Sequence, residues 1–171
     1  MISKLIRLVL TAAFFAWSVW SFIDGEIGNG IALLFPMSLV LFTYFRNERI
    51  LLSLWHMRKN DVAKAEKALL GLKNPEKSLI TSQLAYYYLL MGMIESQRKV
   101  GKAETLLKKA LNTGLRMDQD KAMAKLNLAG IAITKRRKKE AQFLLTEVKK
   151  LDSKGVLNEQ VKYIKQQLKR I

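Results

Sequence analysis

The residues of this 171-residue chain that could do chemistry are few, and their spacing restricts what kind. The densest group is Lys135-Arg136-Arg137-Lys138-Lys139, five consecutive cations. Such a run forms a solvated turn between helices, or meets anionic lipid at about 1 kcal/mol per basic residue near the surface. Nucleic acid is the weakest partner for it. Its cations are not interleaved with aromatics for base stacking, and no groove-reading module is present. Tyr86, Tyr87 and Tyr88 are consecutive, so on a helix they point about 100° apart and are not expected to share one core. Tyr86 and Tyr87 are expected to pack; Tyr88 is either a groove contact or a core tyrosine with its hydroxyl reaching out. His56, beside Trp55, is expected to be a packed or interface histidine. Asp118 and Asp120 sit where a polar helix start would use them as caps.

What is missing narrows the chemistry further. The chain has no Cys and a single His, so disulfides, thiolate metal sites, Cys nucleophiles and multi-histidine sites drop out. No phosphate-binding glycine loop, dinucleotide fingerprint, zinc helix motif or nucleophile elbow occurs. No catalytic residue, metal or cofactor is expected, and the protein is not expected to be an enzyme. Lys and Arg total 30 against 14 for Asp and Glu, a net charge of +16. That surplus selects anionic surroundings.

The elements that would position these residues fall into two materials. Leu8–Ile23 is 16 residues without a charge, and Ile27–Phe45 is another 19. Between them Asp24 to Gly30, DGEIGNG, predicts a turn and hence an antiparallel hairpin. A membrane-spanning hairpin is the leading reading; a cleaved signal peptide and a buried helix pair are the rivals. Against cleavage, no small-residue processing site precedes Asp24. Lys4, Arg7, Arg46, Arg49, Arg58 and Lys59 flank the runs, which would place both termini in the cytoplasm. Trp17, Trp20 and Tyr44 would lie at the interfaces. Ala12, Ala13, Ala16, Ser18 and Ser21 would permit close helix contact. With no Gly or Pro between Met37 and Lys59, the second run is expected to continue unbroken into the next helix.

From residue 47 the chain is lysine-rich and carries 27 basic against 12 acidic side chains. It repeats every 38 residues: Leu52, Leu90 and Leu128; Ala65, Ala103 and Ala141; Leu69, Leu107 and Leu145. Each copy predicts two helices, separated at Asn60-Asp61, at Val100-Gly101 and at the basic run 135–139. Asn74-Pro75 is expected to cap and start the second pair, Thr113-Gly114 to close it, and Asp118 to begin the third. A last helix, roughly Leu157–Ile171, has Val161, Ile164 and Leu168 on one face and looks like an end cap.

These columns resemble the tetratricopeptide repeat, with the family's small residue at Ala65, Ala103 and Ala141 and its later small position at Leu72, Ala110 and Val148. The family's Gly after Leu is here Ser53, Met91 and Ala129, and the period exceeds the usual 34. The resemblance covers about residues 46–151. It implies an α-solenoid whose first helices line a concave groove for a partner segment, with Tyr88, Glu95, Leu126 and Asn127 as candidate contacts. The family's carboxylate clamp would fall on Ile50, Leu54, Leu89, Met123 and Asn127, where only Asn127 fits, so an apolar ligand is implied.

The expectation is therefore an all-α chain: a transmembrane hairpin over 1–46, then over 47–171 a repeat domain of three helix pairs and a capping helix. Its expected role is a scaffold docking protein partners at a bacterial-type inner membrane. The alternatives are a structural subunit of a larger membrane complex and a basic RNA- or ribosome-binding protein. Protein partners and anionic lipids are the expected ligands.

Overall fold

The computed structural model describes residues 4–45 and 48–170, the side chains of 4, 5, 7 and 41–45 excepted. Among the described residues the chain is all-α, with ten helices and no strand. It divides into two units, Met1–Leu51 and Leu52–Ile171. The expected continuity through Arg46 and Asn47 lies outside the described residues, as do the flanking side chains of Lys4, Arg7 and Tyr44.

In the first unit α1 (Lys4–Ile23) and α2 (Ile27–Phe45) form an antiparallel hairpin. Its turn is shorter than the sequence suggests. Gly25 alone takes a left-handed conformation (φ 80°), and the Glu26 amide donates to the Ser21 carbonyl at 2.9 Å. Gly28, Asn29 and Gly30 are already helical, because the Glu26 carbonyl takes the Gly30 amide and its carboxylate takes the Asn29 side chain. The helices meet through small residues. Ser18 and Ser21 are buried, and the Ser18 hydroxyl donates to the Gly30 carbonyl at 2.8 Å. A Cβ on Gly30 would stand 2.7 Å from the Phe22 ring, which would have to swing aside to admit it. Ala12, Ala13 and Ala16 are exposed and take no part.

The expectation of an integral membrane protein is overturned. Among the described residues no helix is long and apolar enough to cross a membrane. The lengths give the reason. Lys4 and Arg7 occupy the first turns of α1, leaving 16 uncharged residues, or about 24 Å. The α2 helix opens on polar Gly28-Asn29-Gly30, so its apolar part, 31–45 with Pro36 inside, spans about 22 Å. A bilayer core is about 30 Å thick. The inner-membrane placement and the cytoplasmic assignment of the termini fall with the spans.

The unit boundary lies within α3 (Glu48–Arg58). There follow α4 (Val62–Leu70), the single turn α5 (Pro75–Ser78), α6 (Thr81–Glu95), α7 (Val100–Thr113), α8 (Asp118–Thr134), α9 (Lys138–Leu151) and α10 (Asn158–Leu168). The helices α4, α7 and α9 begin at 62, 100 and 138, so the 38-residue period is a period of structure. The residue before each, Asp61, Lys99 or Arg137, has ψ between 70° and 84°, and its carbonyl accepts the amide of Ala65, Ala103 or Ala141. Those alanines are fully buried. Leu69, Leu107 and Leu145 follow one turn later and bury the same face.

Within the second unit the α6·α7 and α8·α9 hairpins pack most extensively, α7 lies against α8, and α10 covers α8 and α9. Contact between α6 and α7 is close because Gly92 has no side chain: a Cβ there would meet Leu107 Cγ at 2.8 Å. Surrounded by α4, α5, α7 and α8, α6 is buried on most sides. That resolves the tyrosine run. Tyr88 packs in the core, Tyr87 is half-buried, and Tyr86 donates its hydroxyl to Asp120 of α8.

Three local expectations change. Asn74 is left-handed (φ 52°) without a side-chain cap, and Pro75 starts only α5, which extended Leu79 ends before α6 begins. Leu52 is 48% exposed whereas Leu90 and Leu128 are buried, because within its unit α3 has no helix pair before it. In α3 the buried side chains are Ile50 and Ser53, and the Ser53 hydroxyl has no partner.

Candidate functional site

A cleft of about 840 Å³ opens between α6, α8 and α10 of the second unit. Its floor is apolar: Met93 from α6, Met123, Leu126 and Ile131 from α8, and Leu157 and Ile164 at α10. Asn127, Thr134, Ser96, Gln160 and Gln167 supply uncharged polar groups around it. Glu159 is the one carboxylate in the lining and Tyr163, 60% exposed, the one phenol. Gly130 opens the floor. Its missing side chain leaves Ile164 Cδ1 at ordinary contact, 3.5 Å from where a Cβ would be. The Asn127 amide donates to the Met123 carbonyl at 2.9 Å, which fixes its orientation and leaves its carbonyl oxygen for a ligand.

Of the four groove residues read from sequence, Leu126 and Asn127 line this cleft and Tyr88 and Glu95 do not. Tyr88 is core. Its hydroxyl donates to Glu76 Oε1 at 2.7 Å, Lys109 lies over its ring, and burial with that bond pushes the phenol up to about 12. Glu95 is buried and pairs with Lys102 of α7, whose ammonium holds its carboxyl below the usual range. The repeat register put both on the first helix but could not say which side of α6 the next pair covers. The α10 contribution escaped the sequence reading. The face of Val161, Ile164 and Leu168 divides: Val161 and Leu168 are buried, while Ile164 turns to the cleft beside Tyr163. The adjacent Tyr163 and Ile164 on a supposed end cap were the available signal.

The basic run also divides. Lys135 and Arg137 both bond Glu104 of α7, which takes Lys108 as well at 2.7 Å. The Lys108, Lys135 and Arg137 bonds hold the Glu104 carboxyl at about 2. Arg136 takes the left-handed turn position (φ 56°), and Lys138 and Lys139 stand exposed in the first turn of α9. The preceding repeat has the same clip. Glu66 of α4 receives Arg98 through both carboxylate oxygens, at 2.8 and 2.9 Å, and 66 and 104 are 38 apart. Two of the five cations are thus inter-repeat ties.

His56 is half-buried with its ring 4.9 Å from Trp55, over which Lys59 sits at 3.8 Å. Among the described residues no three His, Asp or Glu side chains stand together as metal ligands. The fold defines an all-helical protein built on a 38-residue helix-pair period. No protein-family model, curated protein or solved structure matches the chain.

Proposed function

We propose that residues 52–171 are a protein-binding module of the tetratricopeptide kind, without enzymatic activity, that receives the apolar face of a partner's helix. The observation that carries this is the cleft itself. It is a methionine- and isoleucine-lined surface with a single carboxylate, Glu159, within a unit dense in lysine. Methionine adapts its shape to irregular apolar ligands, and a groove of this lining suits the i, i+3, i+4, i+7 anchors of an amphipathic helix. The net charge of +16 favours a partner whose remaining faces are acidic, through steering and complementarity. One carboxylate and one exposed phenol in the lining do not make a general acid–base pair, which favours binding over catalysis.

The test is site-specific photocrosslinking from position 123 in the full chain, with and without Gly130→Leu. A leucine there projects into the cleft toward Ile164. Capture of a defined protein from position 123, abolished by Gly130→Leu at unchanged thermal stability, supports the reading. Equal capture from position 143, an exposed phenylalanine that does not line the cleft, or indifference to Gly130→Leu, rejects it.

A further inference from the structure

The cations left over by the ion-pair clips gather elsewhere, on the outer side of α9 and α10. Lys162 and Lys165 of α10 and Lys169 at its C-cap, still in helical conformation, are spaced i, i+3, i+7 and so share one face, away from Gln160, Ile164 and Gln167 in the cleft. Across from that face, Lys149 in the last turn of α9 comes within hydrogen-bond reach of Lys165 and depresses its ammonium below the usual lysine range.

No carboxylate among the described residues neutralises these four lysines. In the C-terminal segment Glu140 faces Arg137, and Glu147 binds Lys125 at 2.8 Å. The Asp152 carboxylate accepts the amides of Val156 and Leu157, and Glu159 lines the cleft. The repeat pattern accounts for the gap. The position that is Glu66 in α4 and Glu104 in α7 is Gln142 in α9, so the last pair lacks the acceptor that the first two use. Two like charges in contact cost free energy unless a third charge lies between them.

We propose that Lys149, Lys162, Lys165 and Lys169 form a binding site for a phosphate-class anion. Lysine suits that ligand. Each ammonium is a compact charge with three rotatable donors, and oxygens pointing several ways can satisfy two opposed lysines at once. The planar two-point fork that matches a carboxylate belongs to arginine, and none of the four is arginine.

The source of the phosphate is either a free polyphosphate-type anion or a lipid headgroup. The experiment titrates the full chain with inorganic pyrophosphate and, separately, with phosphatidylglycerol and phosphatidylcholine vesicles. Wild type is compared with Lys149→Gln/Lys165→Gln and with Arg136→Gln/Lys138→Gln, which removes equal charge outside the site. Each lysine near an anionic surface contributes about 1 kcal/mol, so the first pair should weaken binding about 30-fold. The control pair should leave it within a few-fold. Loss confined to pyrophosphate assigns a free anion, and matching loss on phosphatidylglycerol but not phosphatidylcholine assigns a headgroup. Equal loss in both variants, or capture of RNA with neither phosphate probe bound, overturns the proposal.

Discussion

The hairpin of α1 and α2 and the helix pairs α6·α7 and α8·α9 use opposite surfaces to do the same job. In the helix pairs leucine and alanine are inside: Leu107, Ala103 and Ala110 are fully buried, and the one buried charge, Glu95, is bonded to Lys102. In the hairpin the seam holds serine and glycine, while Trp17, Trp20 and Phe35 are 63%, 66% and 71% exposed. Helix pairing by itself therefore says nothing about where the apolar residues go. Small residues allow close backbone contact and one buried hydrogen bond, whereas large ones bring the hydrophobic term. An exposed apolar surface of that extent marks an interaction surface or an aggregation hazard.

The sharpest test of this contrast is truncation on both sides of it. Leu107→Ala should cost about 2–5 kcal/mol, read as a lower denaturation midpoint. Trp20→Ala, at an exposed site, should move that midpoint by no more than about 0.5 kcal/mol. A large loss at Trp20 would show that the hairpin surface is covered and would break the comparison.

The paired glycines 92 and 130 sharpen the account of the repeats. Gly92→Ala should cost about 1–3 kcal/mol, because the added methyl meets Leu107. Gly130→Ala, with room beside Ile164, should be neutral or stabilising by up to about 1 kcal/mol. Thermal melts of the two variants in parallel decide it, and similar losses would mean that the cleft floor is packed.

Glu104→Gln should cost about 1–2 kcal/mol at neutral pH, since three cations lose their acceptor. The folded carboxyl titrates at about 2, below the ordinary value near 4.5, so its contribution is complete above that value. It is lost as pH falls from about 4.5 toward 2. Acid titration of stability should therefore be shallower for Glu104→Gln in that window, and parallel curves would remove the clip. Ser18→Ala is the smallest change. It deletes the bond to Gly30 and should cost the hairpin about 1 kcal/mol, visible as faster amide exchange in α2.

Much of the architecture was legible in spacing. The buried alanines 65, 103 and 141, the helix starts at 62, 100 and 138, and the Gly114 stop all follow from local backbone rules that any helix obeys. The site was only half legible. Leu126 and Asn127 are found by register, but Tyr88 and Glu95 share that register and are covered, because α6 lies between neighbours on more than one side. The apolar runs misled about length. Charge-free sequence measures composition, whereas the relevant distance excludes the polar turns at either end.

The sequence by itself determined the helices, their period, the absence of thiol chemistry and the basic surplus, since each depends on residue type and near neighbours along the chain. Only the tertiary structure decided which cations are neutralised, which tyrosines are buried and that α10 forms one wall of the cleft. Those outcomes depend on side chains 30 or more residues apart being brought into contact, as Glu104 is with Lys135 and Arg137. A repeat period states that helices stack; it does not state which face each neighbour leaves open.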